Sequence, residues 1–467
     1  MNYLNTGKVA YPKLSLYAFH LWRNLAQGMD NPVNNAKDLW LKCQEIGQTL
    51  NTPEIEKLSE LIETNNHQLG KNGELLPKPN YLKFAEIPQS NNQNIKGDIL
   101  PLQIHDTYAV DLTLRYPQPE VKLADLKGLN KDNCLLPDNI NASLGQTLVF
   151  FAKPLEEFEN QESLQNFADD CVKALITSEK FQELKIYCQS QGKLLGSPIF
   201  EYNNDADSPK EQCHILIWLN TNPQTKELEN SGKYYYPLIK LLLCRSKIVY
   251  VNYQAIRCNQ QARKEYTELE KIVSEFNQIK NNINQNLEKL QQWLTNVPEV
   301  SFEYARYLRD LQIHRTTIRT NLENYRLNLN IIDQLCNQDD LQFLSNFIKL
   351  TQNTYIQQIN INLEYLIPAN DFFKQMIETI RGVVEIEEAK RDKSLQETVQ
   401  VLGVALGGGA IVSGVVAEYI EKPVTLPIYV NYQIQPIMIS LGWSFLATLF
   451  FGLLAFGWTQ LGRKGSN

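Results

Sequence analysis

From 398 to 417 the chain runs twenty residues without a charge (TVQVLGVALGGGAIVSGVVA), and from 423 to 462 it does so for forty more. A helix rises 1.5 Å per residue, so about 20 apolar residues cross the hydrocarbon layer of a bilayer. The first run has room for one crossing, and the second contains another at 437–461. The sequence therefore predicts a C-terminal two-helix transmembrane hairpin set in the lipid bilayer. The last 70 residues hold only five charges (Glu418, Glu421, Lys422, Arg463 and Lys464), and the 397 before them hold all the rest. A mean hydropathy of -0.34 thus averages a polar body with a membrane segment.

Basic residues orient the hairpin. Lys390, Arg391 and Lys393 precede the first run and Arg463 and Lys464 follow the second, whereas the connecting loop offers only Lys422. The positive-inside rule then places both termini, and most of the chain, in the cytoplasm. Trp443 and Trp458 are fifteen residues apart, about 22 Å along a helix, as two interfacial anchors would be. The eight cysteines are scattered, never fall as C-x-x-C and avoid the loop, as free thiols in a reducing compartment do. A net charge of -7 removes any global electrostatic reason to bind nucleic acid.

The 467 residues predict two to four domains at about 100–200 residues each. Overall the fold class reads as α+β and mostly helical. Residues 1–70 read as a helical segment: Leu14, Tyr17, Leu21 and Leu25 recur at helical spacing, and Thr52-Pro53-Glu54 supplies a cap and first-turn proline. The stretch 14–22 has the apolarity of a signal-peptide core, but His20 and Arg23 interrupt it and no small-x-small site follows, so it reads as an amphipathic helix. Residues 71–97, rich in Gly, Pro and Asn, read as a linker. Over 98–233 an α/β domain is expected. Residues 108–116 alternate as a half-buried strand, TLVFFA (147–152) and ILIWL (215–219) read as central strands, and Leu164, Phe167, Cys171 and Leu175 form a helical stripe between them.

A long-helix stalk domain is expected over 234–397. One helix begins at Tyr236-Pro237 and is ended by Pro298. A second carries Tyr304, Leu308, Leu311, Ile318, Leu322, Tyr325, Leu329 and Ile332 on one seam, with Arg315 intruding, and packs antiparallel to the first. A third spans 341–366, checked by Pro368, after which Asn370 or Asp371 caps a fourth. Residues 371–420 give about 75 Å of helix running into the first membrane span.

This order of parts, with LQETVQVLGVALGGGAIVSGVV at 395–416 passing from polar stalk to small-residue span, resembles the CorA family of magnesium and divalent-cation transporters over 98–467. The resemblance implies a homo-oligomer, a pentamer in that family, gated from the cytoplasm and conducting a cation. It makes Gly403, Gly407, Ala410 and Gly414 the pore-lining or helix-packing candidates. Their steps of four, three and four put them on one helix face. The family's Gly-Met-Asn signature is absent; AEYIEKP stands at 417–423, and Glu418, on the same face, either rings an outer mouth or marks the helix end. The alternative is a membrane-tethered sensor, or a scaffold without conduction, whose cytoplasmic domain binds a ligand or protein partner.

No phosphate loop, zinc helix, nucleophile elbow or dinucleotide fingerprint occurs, so no enzyme, catalytic residue or cofactor is expected. Cys213 and His214 are neighbours on a strand and point to opposite faces. Asp169-Asp170 and Glu385, Glu387 and Glu388 read as solvated helix faces, with a divalent cation between stalk subunits as the functional alternative. Arg245 and Lys247 interrupt the apolar run LIKLLLCRSKIVYVNY. Buried cations need partners: either carboxylates of the α/β domain, the preferred reading, or an anionic ligand in a cleft.

Overall fold

The computed structural model describes residues 3–24, 32–64, 69–89, 93–280, 282–337, 339–419, 424–425, 433–434 and 436–464, without the side chains of 284, 408–440 and 459–464. The strands are β1 (Lys8–Leu21), β2 (Leu82–Pro88), β3 (Asn94–Ile104), β4 (Thr107–Arg115), β5 (Val121–Lys122), β6 (Gly145–Pro154), β7 (Tyr187–Leu194), β8 (Ser197–Asn203) and β9 (His214–Leu219). The shorter helices are α1 (Asp38–Leu50), α2 (Pro53–Glu56), α3 (Leu58–Thr64), α4 (Pro137–Ile140), α5 (Gln161–Leu175), α6 (Ser178–Leu184) and α7 (Pro223–Asn230). Then follow α8 (Tyr235–Ile279), α9 (Leu287–Asp333), α10 (Gln342–Leu350), α11 (Gln357–Tyr419) and α12 (Pro436–Lys464). The chain divides into a first unit, Met1–Tyr266 with Glu303–Asn370, and a second, Thr267–Phe302 with Asp371–Asn467.

The first unit is built on a nine-stranded sheet in the order β2-β3-β4-β1-β6-β9-β8-β7, with β5 beside β1. β6 and β9 run parallel, and the other pairs are antiparallel. Both faces are covered. Leu14, Leu16 and Ala18 of β1 join Leu148, Phe150 and Ile217 in the core shared with α1 and α5, while Tyr17 and Phe19 join Phe151 and Trp218 in the core shared with α8, α9 and α10. A strand buried on both faces reads as an unbroken apolar run. Hence 147–152 and 215–219 are central strands, as expected, and the stripe on 161–175 is α5.

The same physics overturns the helical reading of 14–22. Residues 8–21 form the sheet's central strand, because the helix-spaced Leu14, Tyr17 and Leu21 are a subset of a run in which Leu16, Ala18 and Phe19 are buried too. Helices do occupy 38–64. The expected linker is also shorter than 71–97: β2 is an edge strand and β3 starts at Asn94, so the sheet begins at residue 8 rather than 98. Neither 1–70 nor 71–97 is separate from it.

The long helices differ at their prolines. Pro298 lies inside α9 and Pro368 inside α11, where each was expected to end a helix. An interior proline costs about 3 kcal/mol, which flanking burial of Val297, Ser301 and Tyr304, and of Leu366 and Phe373, offsets. α8 ends at Ile279 and α9 starts at Leu287, so neither the stop at Pro298 nor the cap at Asn370 or Asp371 forms. The seam from Tyr304 to Ile332 is buried at all eight positions. α8 and α9 are antiparallel: Cys258 meets Tyr307 in the first unit and Glu275 pairs with Lys289 in the second.

The polar side of β4 is buried as well, which the alternation did not reveal. Asp111 accepts from Tyr235 Oη and, at 2.9 Å, from Thr113 Oγ1. Burial pushes its carboxyl up from 3.8 to about 6 despite those hydrogen bonds. A folded-state value above the unfolded one stabilises the fold below pH 4, and that contribution is lost as pH rises through 6. Relative to Asp111→Asn, the native chain should therefore lose about 2 kcal/mol between pH 4 and pH 7. Urea melts of both proteins at the two pH values measure the difference; parallel curves would refute it.

In the second unit, Leu287, Leu290, Trp293 and Val297 are buried, as are Phe373, Met376, Ile380 and Val384. Gln291 donates to Glu388 at 2.8 Å. Helix α12 contains an 18-residue stretch, Leu441–Trp458, long and apolar enough to cross a membrane, and none of it is buried.

Candidate polar ligand cavity

Two neighbouring strands, β7 and β8, and three helical segments, α8, α10 and the turn that follows α10, build one cavity in the first unit. Along β8, Ile199 points into the core shared with α8, whereas Phe200 and Tyr202 point into the opposite core. The two-residue period therefore carries Glu201 and Asn203 to the α8 side. Ser190 lies opposite Glu201 across the β7–β8 pair, next to a bulge at Cys188. α10 supplies Phe343 and Phe347 from the other wall. A π-helical turn, Thr351–Ile356, joins α10 to α11 and carries Tyr355 to the cavity. The space is about 250 Å³, and Gln189, Gln212, Val249, Asn346 and Leu350 complete it.

At its base lies a coupled group. Glu201 Oε2 accepts from Ser190 Oγ at 2.5 Å, and Glu201 Oε1 lies 3.0 Å from His214 Nε2. His214 Nδ1 lies 2.8 Å from Thr147 Oγ1. Burial and the Arg245 cation hold the imidazole below its ordinary range. It is therefore neutral at pH 7, with Nε2–H donating to Glu201 and Nδ1 accepting from Thr147. Burial pushes Glu201 the other way, but the His214 hydrogen bond and Arg245 outweigh it and keep the carboxylate ionised.

Arg245 is the unsatisfied member. Its Nη2 is 3.7 Å from Glu201 Oε1, which is an ion pair but too long for a hydrogen bond. Its guanidinium carbon lies 5.3 Å from the Phe347 ring centre. The residue is 8% exposed, and its Nε has no hydrogen-bond partner among the described residues. Asn203, 9% exposed, has its Oδ1 in the same state. An unpaired buried polar atom costs about 1–3 kcal/mol. A buried guanidinium with a free edge beside a void is suited to taking an anionic group.

No protein-family model matches this chain, and no curated protein does. Function must be read from the residues themselves.

Arg245 and Lys247, expected to share a role, are separated. Two residues along a helix turn a side chain about 200°, and Lys247 pairs with Asp106 instead. Both cations thus meet carboxylates of the α/β domain as the preferred reading expects, Lys247 at Asp106 and Arg245, at longer range, at Glu201. Cys213 lies in the core opposite to the face that carries His214. Asp169 accepts from Tyr202 Oη at 2.6 Å and Asp170 from the Tyr3 amide at 2.7 Å. Glu387 lies 3.4 Å from Lys390. Among the described residues no group of three or more His, Cys, Asp or Glu side chains is placed to hold a metal ion.

Gly403 and Gly407 lie on α11 with open space where a side chain would be. The side chains of Ala410, Gly414 and Glu418 lie outside the described residues. Glu201 and Asn203 were missed in the sequence. The available signal was the single carboxylate inside the apolar run SPIFEYN, the counterpart of a single arginine inside the apolar run of α8.

Proposed function

We propose that this chain is an oligomeric membrane protein of CorA-like layout, in which α12 and the end of α11 form a two-helix hairpin and the oligomer passes cations under control of the cytoplasmic first unit. The hairpin's packing carries this reading. Ala405 of α11 is buried, and a Cβ built on Gly452 of α12 would sit 3.4 Å from the Ala405 Cβ. Gly403 and Gly407 are each two residues from Ala405, about 160° away around the helix. The hairpin therefore uses one side of α11 internally and leaves the glycine face for neighbouring subunits or a central axis. Along α12, Leu441, Phe445, Leu449, Leu453 and Phe456 are exposed, an apolar surface that suits lipid and would aggregate in water.

Reconstituted into liposomes, the full chain should pass cations, and Gly407→Leu should cut the flux about tenfold by filling the face that open packing requires. Tight liposomes that contain inserted oligomer would remove the conducting role. They would leave the second reading, a membrane-tethered sensor, which the unsatisfied Arg245 beside its cavity favours.

A further inference from the structure

The Arg245 cavity does not stand alone. It shares Gln212, Val249 and Tyr355 with an adjoining space of about 470 Å³, which shares Tyr253 and Arg257 with a third of about 420 Å³. All three lie within the first unit and follow α8, so together they form one groove along that helix. The innermost part, at about 250 Å³, is smaller than the 300–1,000 Å³ of ordinary small-molecule sites. It has room for the end group of a ligand whose remainder continues outward.

The walls repeat one chemistry. Arg245 is followed by Arg257 and then by Lys210, and aromatic rings stand between them: Tyr355 by the first, Tyr253 and Tyr250 by the others. The Arg257 guanidinium lies 5.7 Å from the Tyr253 ring centre. Two carboxylates line the groove, Glu201 and Asp207. Glu201 is already engaged by His214 and Ser190. Twelve residues of helix separate the two arginines, about 18 Å, more than the phosphates of one mononucleotide reach. Cations alternating with aromatic rings along a groove are what phosphates and stacked bases require.

We infer that the groove binds a short nucleotide of at least two nucleosides, with a terminal phosphate on Arg245, the Asn203 Oδ1 accepting from a ligand hydroxyl or amino group beside it, and a second phosphate at Arg257. This rests on the Arg245 cavity being a ligand site, not on conduction by the hairpin. The chain's acidic balance does not oppose it, because the recognition is local.

Calorimetric titration of the full chain in detergent, with 5′-phosphorylated ApA, AMP, pyrophosphate and citrate as probes, tests it. The dinucleotide should bind about tenfold or more tighter than AMP, and added salt should weaken it. Arg245→Gln should abolish binding. Because that change sits in a buried network, the exposed Arg257→Ala and the half-buried Tyr253→Ala are made as well. Each should weaken the dinucleotide about tenfold while leaving AMP nearly unchanged. Pyrophosphate or citrate binding as tightly as the dinucleotide, and depending on Arg245, would overturn the nucleotide assignment and leave an anion site. Absence of binding by every probe to a folded chain would overturn both.

Discussion

Glu201→Gln is expected to destabilise the first unit by about 3–5 kcal/mol, because it leaves the Arg245 cation buried without its counter-charge. The side chains are 12% and 10% exposed, so solvent screens the pair little. In a unit of this size the loss corresponds to a fall in melting temperature of about 4–7 °C. Arg245→Met in the same chain should restore most of it, since an apolar side chain of similar length fills the space without a charge to solvate. Differential scanning calorimetry of the two variants decides the matter. If the double variant is no more stable than Glu201→Gln, the missing counter-charge is not the cause.

Acid should act on the native network in the same direction. Glu201 is held below its ordinary value, so its contribution is present above pH 4.5 and is lost as pH falls. His214 is also held below its ordinary 6.5, and protonating it beside Arg245 penalises the fold from that value downward. Asp111 runs oppositely over pH 4–6. In Asp111→Asn, therefore, the acid sensitivity of the Glu201 network should be more pronounced than in the native chain.

What the sequence revealed followed from periodicity. The seam from Tyr304 to Ile332 could be read because one face of a long helix repeats the same choice many times. β6 and β9 could be read because short apolar runs of Val, Ile, Phe and Trp fit a doubly covered sheet. β1 was obscured because Leu, Tyr, Ala and Phe do not favour strand over helix strongly enough to settle a short apolar run. Prolines 298 and 368 misled for the reverse reason: a local rule was outweighed by packing along the whole helix. The cavity was half legible. A buried arginine announces a need for partners, but its separation from Lys247, the shared use of Glu201 by Ser190 and His214, and the π-turn that delivers Tyr355 depend on contacts distant in sequence.

Cysteine labelling of the proposed C-terminal hairpin should give an all-or-none pattern. Of the eight native cysteines seven are buried and Cys188 is partly so, and none lies beyond residue 336, so background reaction with a membrane-impermeant maleimide should be low. Single cysteines are placed at Ser394 before the first span, Leu426 between the spans and Gly465 after the second. With two spans and the basic ends inside, Leu426→Cys should label in intact cells, and Ser394→Cys and Gly465→Cys only after permeabilisation. If α12 alone crossed, positions 394 and 426 would share a side and label together. If neither crossed, all three would respond alike. The pattern thus separates a hairpin from a single anchor, and the conducting reading of the glycine face on α11 depends on it: a helix end that does not enter the bilayer cannot line a path through it.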